Sequence, residues 1–95
     1  MPTMFEHKFP YLYALLSLHE NIHLTVELCD KIYNGFSHEW MDKLDSVVAR
    51  SKFITIIHLP KTGRTAEVYE WRQLILAVDS IQTLLIQHPQ RNEKT

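Results

Sequence analysis

Apolar residues recur at steps of three and four along most of the chain, and three such stretches are separated by glycine and proline. The first runs from about Tyr11 to Asn34, with Leu12, Leu15, Leu16, Ile22, Val26, Cys29 and Tyr33 on one stripe. Pro10 stands at its start, a favoured first helical position, and Gly35 follows as a left-handed C-terminal stop. The second opens at Ser37, whose hydroxyl can cap the free first-turn amides. Glu39 then sits at the positive end of the helix dipole. Trp40, Leu44, Val47, Val48 and Ile54 continue the apolar face, and Pro60 ends it. The third follows Thr65, a candidate cap, with Glu67 in its first turn. Val68, Trp71, Leu74, Ile75, Val78, Ile81, Leu84, Leu85 and His88 keep helical spacing up to Pro89.

Three helices of roughly two dozen residues each, joined by short loops, predict an all-α antiparallel three-helix bundle. One segment resists that assignment. Residues 53–59 are β-branched and apolar on all sides, so pairing 53–59 with 64–70 in a β-hairpin, within an α+β fold, is the alternative. The chain, 95 residues long, is read as one helical domain with frayed ends at about residues 1–8 and 90–95.

Composition narrows the function. A net charge of −1 with no polybasic cluster argues against a protein built chiefly to neutralise nucleic-acid phosphates. A single cysteine, Cys29, forms no internal disulfide and fits a reducing, cytoplasmic setting. No apolar run approaches membrane-spanning length. The FPYLYALLSL stretch after Lys8 lacks the small-residue cleavage site of a secretory signal.

One motif points to chemistry. His19-Glu20-Asn21-Ile22-His23 is an H-E-x-x-H sequence. On a helix, residues four apart stack, so two imidazoles can hold one zinc ion while the glutamate activates a metal-bound water. Over these five residues the chain resembles the zincin metalloproteases. That resemblance implies a zinc-dependent hydrolase using His19, Glu20 and His23. It lacks the downstream glycine and third histidine of the metzincin pattern. Glu27, His38, His58, Glu67 and Glu70 are the remaining candidates for a third ligand. Because His19 and His23 fall inside the apolar stripe, they are read instead as packed core or interface residues, with no metal and no cofactor assigned. Burial of neutral imidazoles there would make assembly acid-sensitive. Glu20-x-x-His23 is also half of a di-iron carboxylate pattern, but the second half is missing.

Other chemistry finds less support. Cys29 reads as an inert core thiol and no G-x-S-x-G elbow occurs. Lys61-Thr62-Gly63-Arg64-Thr65 lacks P-loop spacing and reads as a solvated turn. Arg50, Lys52, Lys61 and Arg64 can gather into a modest basic patch, the basis for a nucleic-acid-binding dimer as an alternative. No catalytic residue is assigned.

Apolar surface is in surplus. Leu74 to Val78 and Leu84 to Ile86 cover more than half of the third helix, and Leu18, Leu24 and Leu28 lie off the first stripe. Phe5, Phe9, Tyr11 and Tyr13 form an aromatic arm ahead of the core, while Trp40 and Trp71 read as core. The expectation is a small non-enzymatic regulatory or inhibitory protein, of the kind phage and accessory genes encode. It would act by protein–protein binding or as a homodimer through Phe5, Phe9, Tyr11, Tyr13, Trp71 and Leu76.

Overall fold

The computed structural model describes residues 2–50 and 66–87. Among them the fold is an all-α bundle without a strand, built from α1 (Met4–Lys8), α2 (Pro10–Ser17), α3 (Val26–Gly35), α4 (His38–Arg50) and α5 (Ala66–Gln87). The helical class stands, but the described chain has five helical segments where the spacing predicted three. Residues 66–70 are helical, not a second strand, and 53–59 lie outside the described residues.

The first predicted helix begins earlier and breaks in the middle. Thr3 caps α1, its hydroxyl accepting the Glu6 amide at 3.1 Å. Residues 4–8, expected to fray, therefore form a helical turn that carries Phe5 into the core. Pro10 has no amide to continue α1 and disfavours helical geometry at the residue before it. Phe9 accordingly adopts φ −125° and ψ 65°, and the chain restarts with Pro10 as the first residue of α2.

The free amides at the start of α2 are met from across the bundle. Phe9 supplies no side-chain cap, but Asp45 Oδ1 of α4 accepts from the backbone N–H groups of Tyr11 and Leu12, each at 2.9 Å. At the other end the Ser17 hydroxyl donates to the Ala14 carbonyl at 2.6 Å, and the Leu18 and His19 amides close onto Leu15 and Leu16.

Residues 18–25 then form a turn and an irregular segment, so the predicted helix over Tyr11–Asn34 does not run through. The apolar spacing falters between Leu16 and Ile22, and Thr25 begins α3 afresh. Its hydroxyl accepts the Leu28 amide at 3.1 Å. Gly35 closes α3 as a helical residue. It does not take positive φ, which corrects its expected role as a left-handed stop. Ser37 caps α4 as expected, accepting the Trp40 amide at 3.1 Å.

The core is one cluster: Phe5, Phe9, Leu12, Leu15, Leu16 and Ile22 from the first third, Leu28, Cys29 and Ile32 of α3, Met41, Leu44 and Val48 of α4, and Leu74 and Val78 of α5. α2 packs on α4, α1 on α2 and α3, and α5 on α3 and α4. Trp40 and Trp71 are half-buried against this cluster. The Trp40 indole N–H donates to the Glu70 carboxylate, tying α4 to α5. No helix among the described residues is long and apolar enough to cross a membrane.

Candidate protein-binding face

The aromatic arm splits between core and surface. Phe5 and Phe9 have no exposed area at all, their rings 6.1 Å apart. This corrects their assignment as docking anchors: a side chain with nothing exposed has no surface to offer a partner. The Pro10 break makes it possible, because it lets α1 fold back on α3. Tyr11 remains exposed. Tyr13 is half-buried with its ring edge-on to Phe5, and burial, with Glu6 and Cys29 adding, raises its phenol above the ordinary value.

A polar cluster seats the same arm. His38 Nε2 donates to the Tyr33 carbonyl at 2.8 Å, while Nδ1 faces the Lys8 ammonium at 3.2 Å. A carbonyl only accepts and an ammonium only donates, so the two contacts select the Nε2–H tautomer. The imidazole lies edge-on to Phe9 and 4.5 Å from the Tyr33 ring.

The H-E-x-x-H residues do not share a helix face. His19 and Glu20 lie in the turn after α2, and His23 lies in the irregular segment before α3. His19 is half-buried and His23 exposed, so neither is packed in the core, and of the core-or-interface expectation only the interface part is left. His19 Nδ1 accepts the Asn21 amide at 3.3 Å. Gln82 of α5 holds the segment by its backbone. Its Oε1 accepts from the His23 N–H and its Nε2 donates to the Asn21 carbonyl, both at 2.7 Å. Among the described residues no three His, Cys, Asp or Glu side chains group closely enough to hold a metal ion. Of the other third-ligand candidates, Glu70 is engaged with Trp40. His58, and the remainder of the expected basic patch beside Arg50, lie outside the described residues.

Cys29 is buried in α3. Burial raises its thiol pKa, a hydrogen bond with Thr3 opposes the rise, and Asp30 and Glu6 add to it. A cleft between α4 and α5 is lined by Asp42, Lys43, Ser46, Arg50 and Glu70, with both signs of charge interleaved.

The outer side of α5 is different. Leu74 and Val78 face the core with no exposed area. On the opposite side Tyr69, Gln73, Leu76, Ser80, Thr83 and Gln87 succeed one another at alternating steps of four and three, all exposed and none charged. Tyr69 is 62% and Leu76 61% exposed. At a rise of about 1.5 Å per residue the stripe is about 27 Å long. One flank carries Arg72, Asp79 and Ile86, the other Glu70, Ala77 and Leu84. Of the residues expected to bind, Leu76 lies on this stripe. Trp71 is turned toward the core, and Tyr11 and Tyr13 belong to α2. The expectation overlooked Tyr69, although its seven-residue separation from Leu76 was the available signal. Compared with protein-family models, curated proteins and solved structures, the chain matches none, so its function is read from these residues and their geometry.

Proposed function

We propose that the protein is a small non-enzymatic binding protein that regulates or inhibits another protein by covering it with the outer face of α5. The observation that carries this reading is the uncharged exposed stripe from Tyr69 to Gln87. A helix whose only task is to cover a core keeps charged and polar residues on its outer side, whereas Tyr69 and Leu76 stand exposed here. Here large apolar side chains stand among amides and hydroxyls, the mixture found where apolar contact and uncharged hydrogen bonding meet. A cytoplasmic setting agrees with the lone buried cysteine.

Placing a photo-crosslinking amino acid at Leu76 in the cells that make the protein tests the reading, with the same probe at Asp42 of α4 as control. A discrete protein adduct formed from position 76 and absent from 42 is expected. Failure of position 76 to give any protein adduct overturns it.

A further inference from the structure

We propose that the Asn34–Gly35 pair at the end of α3 is a site of spontaneous deamidation, and that the acid it forms loosens the turn from α3 into α4. Of Asn21, Asn34 and Asn92, Asn34 alone precedes a glycine. Any other residue in that place sets a side chain against the ring that the reaction must close, and glycine sets none. Asn34 and Gly35 are both exposed, so water and base reach them. Nothing lies within 4 Å of the point where a Cβ on Gly35 would stand.

The reaction balances with water as its one co-reactant. The Gly35 backbone nitrogen gives up its proton to base and attacks Asn34 Cγ. An N–Cγ bond forms, the Cγ–Nδ2 bond breaks, and ammonia leaves with a proton from solvent. Water then opens the five-membered imide. Attack at Cγ gives an aspartate on the original backbone. Attack at the main-chain carbonyl of residue 34 leaves Gly35 linked through Cγ, which adds one methylene to the main chain. Nothing is oxidised or reduced in either branch.

The fold sets the pace. Both residues are helical, and Gly35 does not take positive φ. A helical N–H bonds back to the carbonyl four residues earlier, which holds the Gly35 nitrogen away from ring closure. The Asn34 side chain is held too, its Nδ2 donating to the Asp30 carbonyl at 2.9 Å. The pair nevertheless occupies the last two positions of α3, where fraying costs least. Each opening of that turn frees both groups together. Asn21 lacks these conditions. Its next residue, Ile22, is β-branched and buried, and the Asn21 carbonyl is held by Gln82.

The product is at odds with its place. A carboxylate at residue 34 has no N–H to give the Asp30 carbonyl, and it stands at the negative end of the α3 dipole. It also meets the Asp30 carboxylate one turn away, a like-charge pair. On one side of it the Tyr33 carbonyl accepts the His38 Nε2–H of α4 at 2.8 Å. On the other, Phe36 packs against the core with its ring 5.8 Å from that of Trp40. These contacts tie α3 to α4 on either side of Asn34–Gly35, so a charge or a methylene added between them works against both.

Prolonged incubation of the purified full chain, followed by tryptic digestion and mass spectrometry, tests the site. Cleavage after Lys31 and Lys43 isolates residues 32–43, in which Asn34 is the only side-chain amide, and residues 9–31 carry Asn21 as an internal control. Peptide 32–43 should gain the mass of an amide turned acid while 9–31 stays unchanged. The gain should be faster in mildly alkaline than in mildly acidic buffer, because the attacking nitrogen must lose its proton. Gly35→Ala should slow it at least about fivefold through helix propensity alone, with the methyl adding its obstruction. That variant keeps the fold, since its Cβ meets nothing within 4 Å. Asn34→Asp, which stands for the aged chain, should lower the hydrogen-exchange protection of the last-turn amides of α3 about two- to fivefold.

A gain in 32–43 no faster than in 9–31 overturns the site, as does a Gly35→Ala chain that gains as fast as the parent. Unchanged protection in Asn34→Asp overturns the loosening of the turn.

Discussion

Asp45 Oδ1 lies 2.9 Å from the backbone nitrogen of Leu12 and caps a helix to which it does not belong. The same oxygen takes the Tyr11 amide, so a single carboxylate satisfies two of the first-turn donors of α2. Local sequence offers no substitute, since Phe9 and Pro10 have no side chain able to accept. Asp45→Ala should cost about 1–2 kcal/mol of stability, the range of a lost N-cap, and Asp45→Asn should recover part of it. Urea denaturation followed by circular dichroism measures both. Equal stability of Asp45→Ala and the parent would remove the cap from the account.

The split of the aromatic arm gives a contrast between neighbours. Phe9→Ala empties a fully buried site and should destabilise by about 3–5 kcal/mol. Tyr11→Ala, at an exposed position, should change stability by less than about 0.5 kcal/mol. Thermal melts of the two variants check this. Similar losses for both would mean that the arm is not divided between core and surface.

Gln82 holds the Asn21–His23 backbone through two hydrogen bonds. Gln82→Ala should raise hydrogen exchange at the His23 amide at least tenfold with a stability loss of about 1 kcal/mol. Exchange at the α4 amides should change less. Unchanged exchange at His23 would show that the segment holds itself.

The Cys29 thiol should react with iodoacetamide far more slowly in the folded protein than in urea, because burial withholds it and raises its pKa. The sign of the linkage follows. A pKa raised by folding means that the folded chain holds its proton more firmly. The associated stability is complete below the unfolded thiol's titration and is lost as pH rises beyond about 8.5. The parent should therefore lose more stability than Cys29→Ala between neutral pH and pH 10. Parallel pH profiles for the two proteins would contradict this.

Helix class was readable from spacing alone, and so were Pro10 at the head of α2, Ser37 as the cap of α4 and the core face of Leu44, Val48, Leu74 and Val78. The break at residues 18–25 was not, although the gap from Leu16 to Ile22 and the Thr25 cap were both visible in the residues. Continuous helix and broken helix there share nearly the same apolar stripe. Among the bonds that hold the broken form are the two from Gln82, some sixty residues away, which no local pattern contains. The same limit explains Phe5 and Phe9. Whether an aromatic arm projects or folds back depends on the turn at Pro10 and on the room α3 leaves for it. The exposed position of Leu76, opposite Leu74 and Val78, follows from helical spacing within α5 alone.

Gln82 also sets an order of events during synthesis. Residues 19–25 leave the ribosome long before residue 82 exists, so the His23 N–H and the Asn21 carbonyl stay open to water until the last described helix has emerged. A connection made early is thus closed late, and a nascent chain stalled before α5 would display an unlatched loop.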